Sequence, residues 1–131
     1  MADTEATLHA MGDEHYIQLT TFRKNGDAVG TAVWVVRDAD RLLVTTGADS
    51  GKVKRLHHTL AVELRPCDRA GKVVDGAPLV MAIARDDPSE ATRERLDELL
   101  LAKYGLLYRA IRAAQKLRRS SASTAVVITA D

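Results

Sequence analysis

The chain alternates between apolar and polar positions over its first two thirds, then changes to a helical period. Tyr16-Ile17-Gln18-Leu19-Thr20-Thr21-Phe22 is rich in β-branched and aromatic residues and predicts a strand. Lys24-Asn25-Gly26-Asp27 follows, and Asn-Gly predicts a hairpin because both residues tolerate positive φ. A strand over 28–37 places Val29, Thr31, Val33 and Val35 on one face. Ala28, Gly30, Ala32, Trp34 and Val36 fall on the other. Asp38-Ala39-Asp40 turns the chain into a strand over 41–46, and a short basic helix over 50–58 interrupts the meander. Residues 60–65 alternate again, 68–72 form a turn, and the run 77–85 supplies a fifth strand.

The period then lengthens. Asp87 can cap a helix with Pro88 at its first position and Glu90 at its third, and Leu96, Leu99 and Leu100 follow at helical spacing. Gly105 ends this helix, and a second runs over 106–119 with Leu107, Ile111, Ala114 and Leu117 on one stripe. Residues 120–123 break it, and 124–129 form a last strand. Residues 1–14 form an N-terminal arm or short helix, and 15–131 form a single domain without repeats or a linker. The inventory is mainly β (α+β), with six strands, one inserted short helix and two late helices. So few residues close six antiparallel strands most economically as a small barrel. An open sheet covered on one side by the late helices is the competing layout.

Composition narrows the function. The chain has 131 residues, and 19 Lys and Arg nearly balance 18 Asp and Glu, so any anion site must be local. A nucleic-acid or membrane partner is therefore not expected, and no apolar run is long enough to span a bilayer. The opening Met1-Ala2-Asp3-Thr4-Glu5 lacks the basic-then-apolar pattern of a signal peptide. Cys67 stands alone, which fits a reducing cytoplasm. No metal is expected, because the adjacent His57 and His58 lack a second group of ligands.

The candidate chemistry lies in Thr45-Thr46-Gly47-Ala48-Asp49-Ser50-Gly51-Lys52-Val53-Lys54-Arg55-Leu56. A strand ends in two threonines and a glycine, Ser50 offers an N-cap, and three cations crowd the first turn and a half of the helix. Cations there oppose the helix dipole and repel one another unless an anion is expected. The segment reads as a phosphate grip, with a solvated basic face as the plainer alternative. It is not a P-loop: only three residues separate the glycines, and Val53 stands where Mg²⁺ binding needs a hydroxyl. No Ser-His-Asp set, carboxylate pair or activated thiol accompanies it, which suits an enzyme whose chemistry rests on a cofactor.

Thr31-Ala32-Val33-Trp34, the 45–55 segment, and Leu64-Arg65-Pro66-Cys67-Asp68 with Gly71 occur in this order and spacing. Together they resemble the flavin/deazaflavin oxidoreductases of the pyridoxamine 5'-phosphate oxidase-like superfamily, whose fold is the FMN-binding split barrel. The likeness spans 15–129 and is greatest to the actinobacterial group that uses the deazaflavin coenzyme F420; Lys103-Tyr104-Gly105-Leu106 and the closing 121–129 strand share it. The resemblance implies a cytoplasmic homodimer with coenzyme F420, or alternatively FMN, at the subunit interface. It places the phosphate on Ser50, Gly51, Lys52, Lys54 and Arg55, with Thr46 near the tricyclic ring. Thr31, Ala32, Val33 and Trp34 pass along that ring, although the family often has proline where Ala32 stands. The implied reaction is hydride transfer between the deazaflavin and a small unsaturated or quinone-like acceptor. A non-catalytic F420, FMN, haem or tetrapyrrole binder is the alternative, since fold alone does not guarantee turnover.

Trp34 reads either as a core or interface anchor or as a pocket wall. Tyr104 and Tyr108 read as half-buried packing or as proton donors, and Cys67 as a small buried hydrophobe. The basic second late helix, with Arg109, Arg112, Lys116, Arg118 and Arg119, reads as a solvated face.

Overall fold

In a computed structural model, residues 4–47, 50–117 and 123–130 are described, with side chains over 7–47, 50–114 and 123–130. The order is α1 (Thr4–Met11), β1 (Ile17–Phe22), β2 (Ala28–Val33), β3 (Val36–Asp38), β4 (Arg41–Gly47) and α2 (Gly51–Leu56). Then come β5 (Ala61–Pro66), β6 (Val80–Asp87), α3 (Glu90–Tyr104), α4 (Leu106–Leu117) and β7 (Ser123–Ala130). Ala48, Asp49 and residues 118–122, on which parts of the phosphate-grip and helix-end expectations fall, lie outside the described residues.

All strand pairs are antiparallel, in the sheet order β2-β1-β5-β6-β7-β4-β3. The two edge strands, β2 and β3, are consecutive in sequence, so Trp34 and Val35 carry the chain between the edges of a coiled sheet. This is an antiparallel split barrel. Its inside holds Ile17, Leu19, Val33, Val35, Leu42, Val44, Leu64 and Ile128, with Leu8 and Met11 of α1 and Leu56 of α2. A second cluster on the outer face joins Val36, Leu43 and Ala125 to Leu96, Leu100 and Tyr108 of α3 and α4.

Among the described residues the barrel has seven strands where the pattern predicts six. The run 28–37 keeps its expected alternation: Val33 and Val35 enter the barrel, while Trp34 and Val36 turn outward. Its partners change, however. Pairing with β1 ends at Ile17↔Val33, and pairing with β4 begins at Val36↔Leu43. Alternation reports faces and cannot report a change of neighbour. The expected 77–85 strand is likewise shifted, to Val80–Asp87. The β1–β2 hairpin forms as expected, but Gly26 takes the positive φ without Asn25.

Side chains stitch the seam between β2 and β3. The Lys103 ammonium, in the last turn of α3, donates to the carbonyls of Gly12 at 2.7 Å, Glu14 at 2.5 Å and Val35 at 2.6 Å. The Val35 N–H donates to the Tyr104 hydroxyl at 3.2 Å, and that hydroxyl lies 2.7 Å from the His15 carbonyl. The backbone groups that leave the ladder are thereby paired.

Two helix expectations are corrected. Ser89, not Asp87, is the N-cap of α3, its side chain accepting from Thr92 N–H, and Pro88 precedes the helix. Asp87 supports the cap instead, accepting from Ser89 N–H at 2.9 Å and from the Thr92 hydroxyl at 2.7 Å. Gly105 ends α3 with φ 58° as expected. In α4 the stripe of Leu107 and Ile111 is exposed, 55 % and 36 %, and the helix packs through Tyr108. The sharp reversal at Gly105 sets which face of α4 meets the sheet, and that rotation is not encoded in the helical period.

Candidate functional site

The 45–55 segment folds as the strand-to-helix turn its residues suggest. Ser50 is the N-cap of α2, with its Oγ accepting from Val53 N–H at 3.4 Å. Thr46 continues the inner phase of Leu42 and Val44 on β4, and its Oγ1 lies 3.2 Å from Ser50 Oγ. Val53 and Leu56 are buried, which seats α2 on the barrel and leaves Lys52, Lys54 and Arg55 around its rim. Arg55 Nε donates to Thr21 Oγ1 of β1 at 2.6 Å, and Thr21 is fully buried. A polar line thus runs from β4 through α2 to β1.

Gly51 has a specific role in this turn. A Cβ there would stand 2.7 Å from Arg55 Nη1, so a side chain would displace the guanidinium from its position over the helix start. Lys52 is half-buried, and burial first, then the charge of Arg55, pushes its pKa below the ordinary lysine value. Lys54 is exposed. Among the described residues, none of the three cations forms an ion pair with a carboxylate. Partly desolvated cations without counter-charge are costly, and a bound anion would offset that cost.

The expected ring-side residues are divided between two faces of the sheet. Thr31 and Val33 share the inner phase of β2; Val33 is a core residue, and Thr31 Oγ1 is buried without a hydrogen-bond partner. Ala32 faces outward beside the Gly71 turn, where a Cβ on Gly71 would lie 3.9 Å from Ala32 Cβ. Trp34 also faces outward, and its indole lies on the Tyr104 ring with centroids 4.3 Å apart and planes 8° apart. It lines a cleft of about 170 Å³ with Thr45, Tyr108, Ile111, Arg112 and Ser123. Thr46, Ser50, Lys52 and Arg55 are therefore assembled together, whereas Trp34 meets the neighbouring Thr45 on the opposite face.

The remaining reactive side chains are buried or have structural partners. Burial pushes the Tyr104 phenol up to about 12, against the lowering effect of its bond with Val35. Tyr108 donates to Asp97 Oδ1, and Arg112 Nη1 donates to the same oxygen at 2.8 Å. Burial, then the charge of Asp68, raises the Cys67 thiol. His57 meets Asp86 at 3.1 Å, and the described residues contain no group of three or more potential metal ligands. Sequence reasoning missed the role of Thr21 beside Arg55, the outward placement of Thr45 and the anchoring role of Lys103. Thr21 alone gave a signal: it is a polar residue in the buried phase of Ile17 and Leu19.

No protein-family model matches the chain, and no curated protein matches it significantly. Solved structures do. A Mycobacterium tuberculosis conserved hypothetical protein aligns over 99 % of this chain and 81 % of its own, at 18 % identity and TM-score 0.67. A Listeria innocua protein provisionally assigned as a pyridoxamine 5'-phosphate oxidase aligns over 97 % and 93 %, at 13 % identity and TM-score 0.63. A haem-binding protein from Mycobacterium smegmatis aligns over 98 % of this chain and 51 % of its own, at 14 % identity and TM-score 0.57. These likenesses establish the fold: the chain is a split barrel of the kind found in pyridoxamine 5'-phosphate oxidase-like proteins.

Proposed function

We propose that this protein is a coenzyme F420-dependent oxidoreductase that transfers hydride between the deazaflavin and a small unsaturated or quinone-like acceptor. The observation that carries the reading is the 50–55 turn: three cations, two of them half-buried, without a carboxylate partner among the described residues. Ser50, the Gly51 backbone, Lys52, Lys54 and Arg55 would hold the coenzyme's phosphate. Arg55 is aimed by its bond to Thr21, and Thr46 is fixed beside Ser50. The unpaired Thr31 hydroxyl offers a buried donor on the strand expected to pass the ring. The coenzyme supplies the hydride chemistry; the chain binds, orients and shields it.

FMN on the same grip is the close alternative, because it presents the same phosphate. A haem-binding role is a third reading, motivated by the Mycobacterium smegmatis neighbour. Titrating the purified protein with coenzyme F420, FMN and haem, each followed by Trp34 fluorescence, separates the three. Preferential saturable quenching by the deazaflavin, with oxidation of its separately supplied reduced form by an enone or quinone, supports the proposal. Preference for FMN or haem moves the assignment to that cofactor.

The expected partner is a second copy of the chain. Leu60, Leu79 and Met81, exposed by 44 %, 43 % and 62 %, flank or lie on the β5–β6 hairpin and provide apolar surface for such a contact. A cytoplasmic location belongs to the same reading and rests on the lone cysteine.

A further inference from the structure

The cleft beside Trp34 has a composition that the phosphate grip does not explain. Its described lining combines a flat indole wall, the aliphatic side chain of Ile111, the hydroxyl-bearing Thr45 and Ser123, the Tyr108 ring and the Arg112 guanidinium. The indole is held from behind by the Tyr104 stack, and the chain next to it is pinned by Lys103 and Tyr104 at Val35. Arg112 is aimed by Asp97 and Tyr108 through Nη1 alone, leaving Nε and Nη2 uncommitted among the described residues. No side-chain hydrogen bond among the described residues engages the Thr45 or Ser123 hydroxyl. The indole is backed by a ring, and these donors have no partner among the described residues.

Size and chemistry identify the occupant. A cavity of about 150 Å³ holds one benzene ring, and this cleft measures about 170 Å³. It therefore suits one ring. A guanidinium with spare N–H groups, next to two hydroxyls, recognises carbonyl or carboxylate oxygen. We propose that the Trp34–Arg112 cleft binds a flat, single-ring compound bearing a carbonyl or carboxylate oxygen, stacked on Trp34 with its oxygen on Arg112. The cleft lies on the face of the sheet opposite the grip, with Thr45 turned outward where Thr46 turns inward, so this binding site goes beyond the oxidoreductase reading and does not depend on it.

The test uses coenzyme-free protein and benzoate, followed by NMR of the Trp34 indole N–H and the Ile111 methyls. Trp34 is the only tryptophan, so its indole signal is unambiguous. Wild type should show saturable shifts at both residues. Ile111→Phe, which fills the cleft from an exposed helix position, should weaken binding at least tenfold, and Arg112→Gln should do the same. Because Arg112→Gln also breaks the Asp97 pair and could unfold the protein, Ile111→Phe serves as the second variant. Absence of saturable shifts in wild type, or affinity unchanged in folded Ile111→Phe, would overturn the proposal. Neither result bears on the phosphate grip, which is read by coenzyme binding alone.

Discussion

The Tyr104 ring lies parallel to the Trp34 indole, 4.3 Å away, while its hydroxyl accepts the N–H of the next residue along, Val35. One side chain thus fixes both ring and backbone where the chain crosses between the sheet's edges. The same burial pushes the phenol's pKa in the folded state up to about 12, above the ordinary tyrosine value of 10.0. Raised in the folded state, this group contributes stability that is complete below pH 10 and lost as pH rises toward about 12. Urea unfolding should therefore show stability falling between about pH 10 and about pH 12, with a smaller fall in Tyr104→Phe. Tyr108, also raised, keeps part of the slope in the variant. Equal slopes in both proteins would remove Tyr104 from this account.

Lys103 is the second part of the seam. Its three donors meet three carbonyls, at 2.5 to 2.7 Å, from the α1–β1 connection and from Val35. Lys103→Met keeps most of the aliphatic stem and leaves those carbonyls without their donor, at a cost of about 1–3 kcal/mol. Amide exchange should accelerate around Val35 and Val36 before it does in the α3–sheet cluster. An unchanged melting curve would show that the seam is held by other contacts.

The orientation of α4 gives a paired prediction. Leu100 is fully buried in the outer cluster, whereas Leu107 is 55 % exposed. Leu100→Ala should cost about 2–5 kcal/mol, and Leu107→Ala should stay within about 0.5 kcal/mol. Chemical denaturation of the purified protein measures both. A large loss at Leu107 would mean that α4 packs through the stripe its sequence suggests.

That stripe shows where the sequence stops being informative. Alternation placed Val33 and Val35 inside and Trp34 and Val36 outside correctly, because burial of one sheet face imposes a period of two. Ser50 and Gly105 were readable as helix boundaries because capping and positive φ are local demands. The split of 28–37 into two strands was not readable, since it depends on which edge each half meets. Nor was the shift of the α3 cap to Ser89, because Asp87, Ser89 and Thr92 can all serve the same helix start. At the candidate site the cations and Ser50 were legible in one segment, while Thr21 reaches it only through folding.

Lys52 tests the central claim most directly. Its pKa is depressed by burial and by the charge of Arg55, so as the protonated cation it opposes folding, and stability should rise with pH as the group titrates toward 10.5. Its retention makes sense for an anion. The measurement is affinity for coenzyme F420 in wild type and Lys52→Ala, alongside the melting temperature of each without coenzyme. The account predicts at least a tenfold loss of affinity with a melting temperature that is unchanged or higher. Unchanged affinity, or a large fall in the coenzyme-free melting temperature, would contradict it.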